Sequence, residues 1–189
     1  RAAENIREYH QRARDVEELQ DAKERYEEQA SKEVRLLELR ISRLQTQVAE
    51  ALRRGGVIVT PTDTVYGLAC RITDTKAVKR LYDLKGMEPK KPLSIMVSDF
   101  EVASRYVTGV STPVYRLVKR VLPGPYTFIF PATTDVPKIM LRKRKTLGVR
   151  MPDNAIVLAL LDALDEPLLT TSIRSPSDEI VNDPEEIAT

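Results

Sequence analysis

The first 54 residues hold neither glycine nor proline; the first glycine is Gly55 and the first proline is Pro61. A stretch of that length without a breaker predicts helix. Apolar residues recur through it at Ile6, Tyr9, Ala13, Val16, Leu19, Ala22, Tyr26, Ala30, Val34, Leu37, Ile41, Leu44, Val48 and Ala51. From Ala30 onward the spacing alternates between four and three, which is the seam of a coiled coil. Between Val16 and Val34 the pattern stutters. A straight helix of this length spans roughly 80 Å, more than a small domain can cover. Residues 1–54 are therefore read as a helical, coiled-coil-like arm that grips a protein partner. The alternative is two shorter helices folded on each other or on the domain. The arm is neutral, with 12 Lys+Arg against 12 Asp+Glu, and most of these charges form a solvated helix face.

Gly55-Gly56 is the boundary, and residues 55–189 form the second region. There, β-branched runs alternate with helical spacing. Strands are predicted over 57–60, 93–97, 126–130 and 167–172, with another at or near 148–150. Helices are predicted over 75–84, from about Phe100 behind Ser98-Asp99, over 112–121 and over 155–164. A last helix is expected to start at Asp183-Pro184-Glu185-Glu186. This alternation is that of an α/β or α+β domain with a mostly buried sheet.

The 189 residues include one cysteine, Cys70, and one histidine, His10. That excludes a disulfide framework or a cysteine zinc cluster, and leaves little for a histidine-based metal site or base. No metal site made of protein side chains is expected. No apolar run is long enough to span a membrane. An intracellular, reducing compartment is the simplest reading, with cytoplasm and organelle equally open. The first residue is Arg1 rather than Met, so the true N-terminus and any transit peptide are expected to lie outside this chain.

Charge is unevenly placed. Residues 116–150 carry nine Lys+Arg and one acid, Asp135, whereas 151–189 carry one base, Arg174, and nine acids. A basic stretch attracts phosphate, in a nucleotide or in RNA; alternatively the two blocks neutralise each other across the fold. For the run Arg142, Lys143, Arg144, Lys145 three readings stand: a solvated loop, an anion-steering rim, or a targeting signal. No aromatic residue interleaves with it, so a stacking platform for single strands is not supported.

Residues 55–68 read GGVIVTPTDTVYGL. A short strand enters a loop of hydroxyls, one carboxylate and a phenol. Thr62, Thr64 and Tyr66 can hydrogen-bond a small polar ligand, and Gly67 allows close backbone approach. The same residues also suit local backbone capping. The spacing of a phosphate loop is absent.

Residues 51–68 resemble the opening motif of the YrdC-like family, whose members include enzymes that make threonylcarbamoyl-adenylate. The resemblance continues through KGMEPKKPLS at 85–94, LPGPYT at 122–127, VRMP at 149–152 and PLLTTS at 167–172, in family order over about residues 48–187. The run at 141–150 and the wording around Leu93–Met96 resemble the YciO-like branch. The resemblance implies a twisted, mixed α/β sheet flanked by helices, with a positively lined concave face. It implies condensation of L-threonine, bicarbonate and ATP, with Mg²⁺, to threonylcarbamoyl-adenylate and pyrophosphate, feeding N6-threonylcarbamoyl modification of adenosine 37 in tRNA. The family pattern is expected to continue beyond Thr189.

Carried over residue by residue, the resemblance assigns Thr62, Thr64 and Tyr66 to the threonine side. It assigns Lys85 and Arg150 to catalysis by charge stabilisation. Lys85, Lys91, Arg150, Thr171 and Ser172 go to the nucleotide and its phosphates, and Arg174 is placed with them as a positive charge returned from another strand. Two positions depart from the family pattern. Met87 replaces the arginine of Lys-x-Arg, and Arg174 replaces the asparagine of Ser-x-Asn. Arg150 has a second reading, as the structural partner of Asp153 or another acid. Two functions follow: an ATP-dependent synthase, or a catalytically weak or inactive RNA-binding or scaffold subunit docked by the arm.

Overall fold

A computed structural model describes residues 2–87, 93–141, 145–173, 181, 183 and 187. Two compact units divide the chain, Arg1–Leu44 and Gln45–Thr189. The described residues of the first unit are helical throughout. They belong to α1, one uninterrupted helix over Ala2–Arg53, so the reading of two shorter helices does not hold. The large seam residues from Ile6 to Leu44 are exposed.

In the second unit α1 ends as its sequence dictates. Gly55 adopts φ +84, its amide donates to the Leu52 carbonyl, and the Gly56 amide donates to Ala51. This paired closure satisfies two orphan carbonyls and needs a left-handed residue after the cap. Ala49 and Leu52, on the last turns, are buried in the domain core.

Six strands form one mixed sheet. They are β1 (Ile58–Thr60), β2 (Gly67–Arg71), β3 (Ser94–Met96), β4 (Phe128–Pro131), β5 (Thr146–Arg150) and β6 (Leu168–Ser172), in the spatial order β1-β2-β6-β3-β5-β4. Only β3 and β5 pair in parallel. The helices are α2 (Thr75–Leu84), α3 (Phe100–Ala103), α4 (Thr112–Val121) and α5 (Ala155–Leu164). This is the mixed α/β fold expected from the sequence. Two details differ. The helix at Phe100 is a single turn, and β2 was not foreseen, because GLACR has neither alternation nor β-branched residues to announce a strand. The expected terminal helix falls mostly on 184–186, outside the described residues.

Strand periodicity divides the sheet into two faces. Cys70, Ile95, Val149 and Leu169 point to one face and join α2, α3 and the aromatic residues Phe100 and Phe130 in the larger core. Ala69, Met96 and Leu168 point to the other, under α5 and the last turns of α1. Asp74 caps α2 by accepting from the Lys76 and Ala77 amides. Asn154 does the same for α5 with Ile156 and Val157; such caps contribute about 1 kcal/mol each. Both sheet faces are thus covered except where α5 stops short, and that gap is the site. Among the described residues no helix is long and apolar enough to cross a membrane.

Candidate functional site

The gap is a cavity of about 260 Å³ on the α5 face of the sheet. Residues of equal strand parity supply its floor: Gly67, Ser94, Thr170 and Ser172. The β1–β2 loop supplies one wall through Thr62, Val65 and Tyr66, and Arg150 at the end of β5 supplies another. Its volume is at or below the low end of small-molecule pockets and is on the scale of an amino acid rather than a whole nucleotide.

A glycine opens this space. A Cβ on Gly148 would stand 2.5 Å from the Ser94 Oγ and 3.0 Å from a Thr127 methyl. The two side chains therefore occupy the room that a larger residue would take, and both line the cavity.

The loop is shaped by its own hydroxyls. The Thr62 hydroxyl donates to the Val65 carbonyl at 2.7 Å and accepts from the amides of Thr64 at 3.1 Å and Val65 at 3.2 Å. That commits it to the loop, as the capping reading expects. The Thr64 hydroxyl accepts from Arg150 Nη2 at 2.7 Å. Asp63 takes the same Nη2 in an ion pair, and both side chains are largely buried, at 8% and 17% exposure. Arg150 is therefore held by Asp63 rather than by Asp153. Among the described residues, Asp63 Oδ2 and Arg150 Nε are buried and have no partner. Arg150 itself lines the cavity, and a guanidinium at a cavity wall can bind an anion or a carbonyl.

Electrostatically, Arg150 is the one charged side chain among the described residues lining the cavity; the others are hydroxyls, apolar groups and backbone. The sequence suggested a positively lined face with more cations. Thr62, Tyr66, Arg150, Thr171 and Ser172 do converge on the cavity, and Thr64 touches it through Arg150. Lys85 does not line it. Lys85 is the C-cap residue of α2, outside the set of residues that line the cavity. Lys145 stands just before β5 with φ +47, its carbonyl accepting from the Ala132 amide, and it does not line the cavity either. Lys91, Arg142, Lys143, Arg144 and Arg174 lie outside the described residues.

Sequence reasoning passed over Asp63, Ser94, Thr127 and Thr170. Asp63 stood in the singled-out loop, and only its partner 87 residues away reveals its role. Met87, at the departing position, packs half-buried against the larger core, and its amide donates to Tyr82 in the closure of α2. Cys70 faces the opposite core; burial, reinforced by Asp74, pushes its thiol pKa up to about 12. It packs as a small buried apolar side chain.

Comparison with known proteins agrees with this geometry. The family model for Sua5/YciO/YrdC, described as "Telomere recombination", matches residues 50–189. The uncharacterised protein YciO of Escherichia coli is 44% identical over 147 residues, covering 77% of this chain and 71% of YciO. Its crystal structure superposes with a TM-score of 0.71. The threonylcarbamoyl-AMP synthase of Chromobacterium violaceum is 35% identical over 131 residues, 69% of this chain and 68% of that enzyme. The crystal structure of Pyrococcus abyssi Sua5 complexed with L-threonine is 32% identical with a TM-score of 0.66, covering 69% of this chain and 38% of Sua5. A hydroxyl-lined cavity in a mixed sheet, a sequence match over most of the chain and these structural relatives together place the chain in the Sua5/YciO/YrdC family.

Proposed function

We propose that the cavity binds L-threonine, and that the chain condenses it with bicarbonate and ATP, carried with Mg²⁺, to threonylcarbamoyl-AMP. The product would serve tRNA threonylcarbamoyl-adenosine formation. The observation that carries this reading is the largely buried Arg150, oriented by Asp63 and Thr64, as the one charged side chain lining a cavity of hydroxyls among the described residues. The relative bound to L-threonine and the synthases of the family support the same ligand. Threonine has a carboxylate for Arg150 and a hydroxyl for the cavity's hydroxyl side chains.

In the proposed reaction the threonine amine attacks the bicarbonate carbon and water leaves, giving a carbamate. A carbamate oxygen then attacks the α-phosphorus of ATP, and pyrophosphate leaves. No covalent intermediate with the protein is required, so the chain contributes positioning and positive charge. Mg²⁺ would screen the phosphates. Arg150 holds the anionic end of the amino acid, and the loop 61–66 excludes water from it.

Met87 favours a second reading. Its side chain serves the core where the family pattern has a cation, and a methionine has no donor for phosphate. A binding module that retains threonine affinity without turnover is the result if that cation is indispensable. Thermal denaturation with L-threonine, alone and with ATP and Mg²⁺, tests binding; a ligand at 100 times its Kd stabilises by about 2.7 kcal/mol. Pyrophosphate release from ATP, bicarbonate and threonine tests synthesis. A threonine shift without pyrophosphate selects the binding module. No shift with millimolar threonine removes both readings.

A further inference from the structure

The hydroxyls around the cavity divide into two sets. Thr62 and Thr64 commit theirs to the loop and to Arg150. Ser94 and Thr170, half-buried on the floor, make no side-chain hydrogen bond among the described residues. Their donors and acceptors are open to a ligand.

The sheet sets where these two hydroxyls stand. Ser94 on β3 pairs with Thr170 on β6 and, on its other side, with Gly148 on β5. The two side chains lean apart. Ser94 Oγ reaches over β5, 2.5 Å from where a Gly148 Cβ would stand, and Thr170 Oγ1 leans over β2, 3.0 Å from the corresponding point at Gly67. The Thr127 methyl carbon lies 3.0 Å from the same Gly148 point. A hydroxyl and a methyl group therefore stand side by side over one bare glycine. Arg150 lies two residues further along β5, and its register partner Met96 lines the same cavity. The step along the strand is roughly 7 Å, which one amino acid spans from its carboxylate to the end of its side chain.

We propose that Ser94 is the residue that selects the side chain of the amino acid. Its Oγ hydrogen-bonds the β-hydroxyl, and the Thr127 methyl packs on the methyl group of the same β-carbon. The inference rests on the assignment of the cavity to L-threonine with its carboxylate on Arg150. Threonine carries a hydroxyl and a methyl on one carbon; serine lacks the methyl, and 2-aminobutyrate lacks the hydroxyl. When 2-aminobutyrate enters, Ser94 loses its hydration and gains no partner. A site of this kind therefore rejects a ligand without the hydroxyl more strongly than one without the methyl.

Titration calorimetry on the intact chain with L-threonine, L-2-aminobutyrate and L-serine tests this. The native chain should bind threonine roughly tenfold more tightly than 2-aminobutyrate, the order expected of one neutral hydrogen bond. Ser94→Ala removes the hydroxyl without breaking a hydrogen bond among the described residues, and the ratio of the two dissociation constants should fall to about two or less. Thr127→Ser keeps a hydroxyl and removes the methyl; it should reduce the preference for threonine over serine by roughly fourfold, the value of one buried methyl group. If Ser94→Ala fails to fold, Ser94→Cys, close in size and a weaker donor, must lower the same ratio. A native chain that binds threonine but does not prefer it to 2-aminobutyrate, or a preference that survives in the Ser94 variant, overturns the proposal and leaves the threonine assignment standing. An unchanged preference over serine in Thr127→Ser overturns the methyl contact. Failure of the native chain to bind threonine at all overturns both the proposal and the assignment beneath it.

Discussion

Asp63 and Arg150, 87 residues apart, form a buried ion pair that ties the β1–β2 loop to the end of β5. The pair leaves Arg150 Nε and Asp63 Oδ2 buried without a partner, while Arg150 lines the cavity. Removing one member of a buried pair strands the other charge, at a cost of about 3–5 kcal/mol. Asp63→Asn should therefore lower the melting temperature by roughly 10 °C and abolish stabilisation by L-threonine. An unchanged melting curve would show that the pair has no hold on the loop.

Gly148 makes room for Ser94 and Thr127 in the cavity. A methyl group there must displace the Ser94 hydroxyl, because 2.5 Å is closer than non-bonded carbon and oxygen allow. Overpacking of this kind costs about 1–3 kcal/mol. Gly148→Ala should fold, melt a few degrees lower and lose most threonine-induced stabilisation. Denaturation with and without the amino acid separates the two effects. Full binding in this variant would place the ligand elsewhere.

Cys70 predicts an alkaline dependence. Burial, above all, raises its thiol pKa from the ordinary 9.0 to about 12 in the fold. The folded state thus holds a proton that the unfolded chain releases, and this contribution is fully present below about pH 9. It is lost as pH rises from about 9 to 12, by at most ~1.4 kcal/mol per pH unit. Urea denaturation at pH 8 and pH 10.5 should show a steeper loss for the native chain than for Cys70→Ala. Equal slopes would mean the thiol is not protected. A thiol reagent at pH 8 should also label Cys70 only after unfolding.

Local features were legible because neighbours in sequence determine them. The missing breakers before Gly55 gave one helix, Gly55-Gly56 gave its closure, and the Asn154 and Asp74 positions gave helix starts. The site was legible in part for the same reason: Thr62, Thr64 and Tyr66 share one loop. What spacing could not supply was the strand order β1-β2-β6-β3-β5-β4. That order brings Ser94, Arg150 and Thr170 to one face. Asp63 was overlooked because a lone acid in a Thr-rich loop has no visible partner until β5 is placed beside it.

Met87 decides between synthesis and binding. Gly86 at φ +58 closes α2, the Met87 amide donates to the Tyr82 carbonyl at 3.0 Å, and the Met87 side chain covers the core beyond the helix end. This is the apolar contact that usually accompanies such a closure. An arginine placed there can lay its methylenes on the same surface and extend its guanidinium toward solvent. The fold should therefore tolerate Met87→Arg at a cost of about 1 kcal/mol. If the chain is a synthase short of one cation, the new guanidinium adds a forked donor for the phosphates. Pyrophosphate release should then rise roughly tenfold, which corresponds to about 1.4 kcal/mol of transition-state stabilisation. Threonine binding should stay unchanged, because Arg150 and its supports are untouched. If the native chain binds threonine but neither it nor Met87→Arg releases pyrophosphate above background, the synthase reading fails. The cavity then belongs to a module that binds the amino acid without activating it.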